Sequence, residues 1–311
     1  MNTTPHIKTE LNRRTFLAST AALGAATLLT SADVEAKTTR AVQSIGIKAS
    51  LAAYSFRNVL PHDGQPGKIT LHDWFEWVAD QGLGAVEPTS YYFSSEDTAY
   101  LNSMKAKAFR LGLDISGTAI RNDFCHLNEA VRRESIDHVK KWCDHSMRIG
   151  APVIRIFAGN KHAKVDDAQA LTWSIECMKE CCDYAGERGV FLAIENHGYL
   201  TGTSVELMKI VDGVDHEWLG VNLDTGNFSQ DPYGNIERMV PHAVNVQLKV
   251  EVMKPDGKGR EEADIDRVVR ILRDGGYRGY IALEYESAPD PYEAVPKYLA
   301  KLQSAIEKAA E

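Results

Sequence analysis

The chain has 311 residues, 44% hydrophobic and 25% charged, which supplies enough apolar surface for a large core. A net charge of −8 without a basic stripe argues against nucleic acid or an anionic membrane as partner. No run reaches the ~20 apolar residues that a spanning helix needs.

The N-terminus is a different kind of sequence from the rest. Arg13 and Arg14 in "NRRTFLAS" precede an apolar stretch from Phe16 to Leu29, too short to span a bilayer comfortably and of the length of a signal-peptide core. "VEA" at 34–36 offers small residues for cleavage after Ala36. The arginine pair followed by Phe16 and Leu17 resembles a twin-arginine export signal. Residues 1–36 are therefore expected to be a Tat-type signal peptide and the mature protein to be periplasmic or otherwise extracytoplasmic. No cysteine lies near the cleavage region, so no lipid anchor is expected. The cysteines are Cys125, Cys143, Cys177, Cys181 and Cys182, an odd count that makes no disulfide framework.

From residue 45 onward, strand-like and helix-like patterns alternate. Strand patterns cover 45–56, 84–89, 113–120, 152–159, 190–198, 219–228, 243–252 and 280–286. Amphipathic helical patterns fall between them, most clearly over 71–82, 128–150, 166–189 and 263–276, and "TSVE" at 203–206 reads as a capping box that opens another. Such alternation argues for parallel βαβ units. Eight strands suit closure into a single (β/α)8 TIM barrel spanning residues 42–311. A doubly wound sheet is the alternative, but no G-x-G-x-x-G follows the first strand.

Strand parity then sorts side chains. In "VFLAIE", Phe191, Ala193 and Glu195 share one face; in "LGVNLD", Gly220, Asn222 and Asp224 do; in "AVNVQLK", Asn245, Gln247 and Lys249; in "YIALEYE", Tyr280, Ala282, Glu284 and Glu286. The opposite parity is valine, leucine or isoleucine, suited to packing under helices. A polar residue thus ends the inward face of four successive strands, at the rim where barrel enzymes keep their active sites. Glu195, Asp224, Gln247 and Glu284 are expected to converge there. Crowded carboxylates resist ionising together, and a divalent cation relieves them. An all-oxygen set suits a hard or borderline ion such as Mn²⁺, Mg²⁺ or Co²⁺ better than Zn²⁺. Glu87 and Arg155 have inward parity on the second and fourth strands and are candidate substrate contacts. Tyr54, Arg121 and His162, near strand ends, read as ordinary loop residues.

"LAIENHG", "VNLDTGNF", "NVQLK" and "ALEYE" resemble the xylose isomerase-like TIM barrels, the sugar isomerase/epimerase superfamily, in strand order over nearly the whole mature chain. The resemblance implies one divalent metal, often Mn²⁺, held by Glu, Asp, His and Glu at the ends of strands five to eight. Glu195, Asp224 and Glu284 match, whereas Gln247 stands where the family usually has histidine. Asn227 stands where many sugar epimerases have a substrate-binding histidine.

Carbonyl–enol chemistry on a sugar follows from that resemblance. The metal would polarise a ketone, and one of Glu195 and Glu284 would remove the α proton while the other returns one. Lys249 is a candidate for stabilising the enolate and His197 for a substrate contact or proton shuttle. With no P-loop and no glycine-rich turn beside a basic cluster, an unphosphorylated sugar or glycoside is the expected substrate. Two other readings stand beside this one: a lyase or hydrolase acting on a keto-sugar glycoside through the same enolate, and a non-catalytic sugar-binding protein. Association into an oligomer is left open.

Overall fold

The computed structural model describes residues 45–311, so the arginine pair, the apolar stretch and the cleavage motif lie outside the described residues. The chain enters with β1 (Ile47–Ala52) and α1 (Leu71–Asp80), followed by β2 (Ala85–Glu87) and α2 (Thr98–Leu111). Two short strands, β3 (Asp114–Ile115) and β4 (Thr118–Ala119), precede α3 (Glu129–Ile149), β5 (Val153–Ile156) and α4 (Asp167–Gly186). Then come β6 (Phe191–Glu195), α5 (Ser204–Val214), β7 (Leu219–Asp224), α6 (Pro232–Met239) and β8 (Ala243–Lys249). A small hairpin of β9 (Glu251–Met253) and β10 (Arg260–Glu262) interrupts the alternation before α7 (Ile265–Asp274), β11 (Gly279–Glu284) and α8 (Pro291–Ala310). Caps fix the helix starts: the Thr70 hydroxyl accepts from Asp73 N–H, and the Asp73 carboxylate accepts from Thr70 N–H. At "TSVE", the Thr203 hydroxyl accepts from Glu206 N–H and donates to the Glu206 carboxylate.

Nine parallel strands line up in the order β3-β2-β1-β11-β8-β7-β6-β5-β4. The two ends of that order, β3 and β4, are halves of one strand pattern, 113–120, separated only by Ser116 and Gly117. Counted as one stave they give the eight of a (β/α)8 TIM barrel. The interruption has a local cause. A Cβ on Gly117 would lie 2.9 Å from Val153 Cγ1, and the Ser116 hydroxyl is tied to Ser50 Oγ at 2.8 Å and to the Val86 carbonyl at 3.1 Å.

Outward parity is apolar as the sequence predicts. Leu192, Ile194, Val221, Leu223, Val246, Leu248, Ile281 and Leu283 are fully buried in the helix-covered core. Each such side chain contributes about 1.5–3 kcal/mol on burial. One register detail sets the site: Val221 pairs with Ala243 but Asn222 pairs with Asn245, so β8 carries an extra residue, Val244, at that step. Beyond the bulge Asp224 lies opposite Gln247, and Glu284 lies opposite Lys249.

Candidate active site

The inward residues of β5 to β8 and β11 meet at the C-terminal ends of their strands. The ammonium of Lys249, last residue of β8, lies 3.0 Å from Glu284 Oε2, 3.3 Å from Asp224 Oδ2 and 2.9 Å from Glu286 Oε2. Its backbone is anchored as well, Lys249 N–H donating to Thr225 Oγ1. Asp224 is held rigidly: its Oδ1 accepts from Gly226 N–H, and its backbone N–H and carbonyl are both bonded by the Asn196 side chain. Asp224 Oδ2, fully buried, has the contact with Lys249 but no hydrogen bond.

Glu195, last residue of β6, has both oxygens engaged. Oε2 pairs with Arg155 Nε at 2.9 Å, and Oε1 accepts from Asn227 Nδ2 at 2.9 Å. Arg155 in turn donates to the Ile120 carbonyl and the Tyr91 hydroxyl and lies over the Phe157 ring. These contacts leave the guanidinium little freedom, so it orients Glu195.

The remaining inward residues form a ring of buried side chains. Glu87 on β2 accepts from Asn245 Nδ2 at 2.7 Å and from Gln247 Nε2 at 2.6 Å. Asn245 also donates to Asn222 Oδ1, and Asn222 Nδ2 donates to Gln247 Oε1. β2 and β8 are not neighbours in the sheet, so these bonds cross the barrel interior. Parity places Asn222 and Asn245 on the inner wall, but nothing in the sequence distinguishes them as partners of Glu87.

Burial first, and neighbouring carboxylates second, raise the proton affinities of the carboxylates in this wall. Burial pushes Glu87 up to about 7 against the two amide donors. Glu195 is likewise pushed up to about 7 by burial, with Arg155 opposing and Glu284 reinforcing the rise. Asp224 is raised well above the usual range by burial, although Lys249 opposes it. For Lys249, burial acts to lower the affinity, but Asp224, Glu284 and Glu286 outweigh it and the group stays an ammonium.

A cavity of about 290 Å³ opens over the cluster, with Glu195, Lys249, Glu284, Glu286, Arg155 and His197 in its lining. Tyr54, Tyr91, Arg121, Asn122, Phe157 and Asn160 complete the wall. These lie just beyond the observed strands, Tyr54 and Tyr91 in short 3-10 turns; Tyr54 and Arg121, read as ordinary from the sequence, line the cavity. His162 instead pairs with Asp123 at 2.7 Å. The His197 ring packs 4.9 Å from that of Phe157. Enclosure by the rim, then the charges of Arg155 and Lys249, hold its imidazole below the usual range. Glu87 and Asn227, read as substrate contacts, are not among the lining residues: the first is committed to the amide ring, the second to Glu195.

The sequence resemblance implies a divalent metal, and the contacts of the oxygens it would need are already made. Oxygens of Asp224, Glu284 and Glu286 stand 2.9–3.3 Å from a shared nitrogen, the spacing of N–H···O contacts and wider than the ~2.0–2.6 Å of oxygen ligands to Mg²⁺ or Ca²⁺. Gln247 has its oxygen bonded by Asn222 and its amide nitrogen committed to Glu87. Glu195 is held by Arg155 and Asn227. Asp224 Oδ2 is the one orphaned carboxylate oxygen among the described residues, and one oxygen does not make a divalent site. Among the described residues no three His, Cys, Asp or Glu side chains are placed to hold a metal ion. As arranged, the residues do not fit a divalent cation.

Comparison with known proteins bears on the N-terminal segment and on the barrel. A model of twin-arginine translocation signal sequences matches residues 10–30, which supports export by that pathway. Comparison with curated proteins returns no match. Among solved structures, an L-ribulose 3-epimerase superposes with a TM-score of 0.69 at 14% identity, covering 85% of this chain and 95% of that one. A xylose isomerase-like TIM barrel protein from Mycobacterium smegmatis, in complex with magnesium, gives 0.68 at 15% identity over 85% of this chain and 98% of that one. The 3-keto-D-glucoside 4-epimerase YcjR from E. coli gives 0.64 at 15% identity over 83% and 99%. Likeness at such identity speaks for the fold. The family follows from the sequence itself, because the model of xylose isomerase-like TIM barrels matches residues 75–302: the chain is a member of that family.

Proposed function

We propose that the protein is a sugar isomerase or epimerase that acts on an unphosphorylated sugar or glycoside by enolisation beside a carbonyl. The observation that carries this reading is that a carboxylate with a proton affinity near neutrality, Glu195, and a buried ammonium, Lys249, line the same cavity. A general base works best when its pKa lies near the working pH, and Glu195 at about 7 meets that condition. Glu195 takes the α proton, the C–H electron pair becomes the C=C bond of the enolate, and the carbonyl π pair moves onto oxygen. Return of a proton to the other face gives an epimer; return to the adjacent carbon gives an isomer. Glu284, which lines the same cavity and touches the Lys249 ammonium, is the second carboxylate for that return. Arg155 positions Glu195, and His197, disfavoured as an imidazolium, offers a neutral ring to a substrate hydroxyl.

Two further points support the substrate class. Each cation that lines the cavity already faces a carboxylate: Arg155 faces Glu195, Arg121 faces Asp63, and Lys249 faces three. A phosphate would meet no uncommitted positive charge. Two of the structural neighbours are epimerases of unphosphorylated substrates by their names, L-ribulose and a 3-keto-D-glucoside. The test is product formation by NMR from a panel of free ketoses, 3-keto-glucosides and the corresponding sugar phosphates. Turnover confined to unphosphorylated members, abolished in Glu195→Gln, is expected. Turnover only of phosphates would sink the substrate class.

A further inference from the structure

The misfit between the donor set and a divalent ion has a constructive side. We infer that Lys249 occupies the place of the family's metal: its ammonium is the site's resident cation, receives the developing enolate oxygen, and makes the protein independent of bound metal. This rests on the enolisation reading above.

Three independent features carry it. First, the ammonium sits within 2.9–3.3 Å of carboxylate oxygens from the ends of β7 and β11 and from Glu286 just beyond, so the carboxylates surround a nitrogen. Second, the lysine stem has been given room. A Cβ at residue 226 would fall 2.5 Å from both Cβ and Cγ of Lys249, so Gly226 is what lets the stem pass into the cluster. The ammonium also lies 5.8 Å from the Tyr54 ring centroid, within cation–π reach. Third, Gln247, at the position of the imidazole ligand, is bonded into the Glu87 ring through both ends of its amide, which leaves that ligand position spent.

The chemistry is balanced without any added reagent. The α proton goes to Glu195, the carbonyl oxygen gains the electron pair, and an N–H of Lys249 faces that oxygen. Glu286, the most exposed of the three carboxylates around the ammonium, is the partner that yields its place to the substrate oxygen. An ammonium so caged is no nucleophile, so no imine forms. Preorganised positive charge at the oxygen is what the step requires, and a fixed N–H supplies it as a Lewis acid would.

The test is Mn²⁺ binding to the purified mature protein, read by loss of the free-ion electron paramagnetic resonance signal and by metal content after purification. Wild type is expected to take up no stoichiometric Mn²⁺, and its solvent-deuterium exchange on a substrate is expected to survive a chelator unchanged. Lys249→Met opens the cluster: it is expected to bind one Mn²⁺ and to melt higher in its presence, an effect lost in Lys249→Met/Asp224→Asn, while exchange falls at least about 100-fold. One equivalent of Mn²⁺ on wild type, lost on Asp224→Asn, overturns the inference. If Lys249→Met does not fold, the wild-type titration alone decides. Absence of exchange with every sugar would remove the enolisation reading while leaving the Mn²⁺ result interpretable by itself.

Discussion

Arg155 Nε stands 2.9 Å from Glu195 Oε2, with both side chains buried on the neighbouring strands β5 and β6. Burial raises the Glu195 pKa and the guanidinium restrains that rise, leaving it at about 7. Arg155→Met removes the restraint. The acid limb of the kcat/KM pH profile is expected to move upward, because the base then holds its proton to higher pH. Arg155→Lys, which keeps the charge but not the planar donor set, is expected to restore part of the shift. A profile unmoved by Arg155→Met would mean that Glu195 is not the titrating base.

Glu87 gives the protein a pH-dependent stability of definite sign. Its folded-state pKa is raised from 4.5 to about 7, so the folded protein binds the proton more tightly than the unfolded chain. The stabilisation is fully present below the unfolded value and is lost as pH rises through the folded one. Its size is about 3 kcal/mol at most. Melting temperature is expected to fall between about pH 5 and about pH 8, and to fall less in Glu87→Gln, whatever constant cost that change adds. Equal slopes in the two proteins would assign the dependence elsewhere.

Gln247 closes the ring of side chains across the barrel. Gln247→Leu leaves an oxygen of Glu87 and the amide of Asn222 without these partners, at a cost of about 1–3 kcal/mol for each buried group left unsatisfied. Urea unfolding is expected to show a lower midpoint with an unchanged m value. A neutral outcome would show that the ring does not hold the strands together.

Gly226 is the position where added volume has nowhere to go. A Cβ there would lie 2.5 Å from the Lys249 stem and 2.7 Å from the Glu251 carbonyl, and the carbonyl belongs to backbone. Gly226→Ala is expected to destabilise by about 1–3 kcal/mol and to lower kcat by displacing Lys249. Thermal unfolding and steady-state kinetics on the same preparation check both effects. A variant as stable and as active as wild type would contradict the packing around the lysine.

Period-two patterning in "VFLAIE", "LGVNLD", "AVNVQLK" and "YIALEYE" carries the fold and the inward wall, because burial of the opposite face fixes the parity of every strand. That is why Glu87, Arg155, Glu195, Asp224, Gln247, Lys249 and Glu284 can all be placed inside from letters alone. Who partners whom is another matter. The pairing of Lys249 with Asp224 and Glu284, on the two strands that flank β8, and with Glu286 at the rim depends on how far the lysine side chain reaches. The union of Glu87 with Gln247 joins residues 160 apart in sequence on strands that are not neighbours. Parity also does not see the bulge at Val244, the break at Gly117, or the residues beyond the strand ends, Tyr54, Tyr91 and Arg121, that shape the cavity. The resemblance directs attention to the oxygens of Asp224 and Glu284, while the Lys249 ammonium among them is evident only from the contacts.

Abstraction of a proton α to a sugar carbonyl by Glu195 is measured directly by solvent-deuterium exchange followed by NMR. In D₂O, wild type is expected to place deuterium on one carbon beside the carbonyl of an unphosphorylated sugar or keto-glycoside, with Glu195→Gln slower by about 100-fold or more. Exchange by Glu195→Gln at the wild-type rate, or none by the wild type with any such sugar, would contradict it.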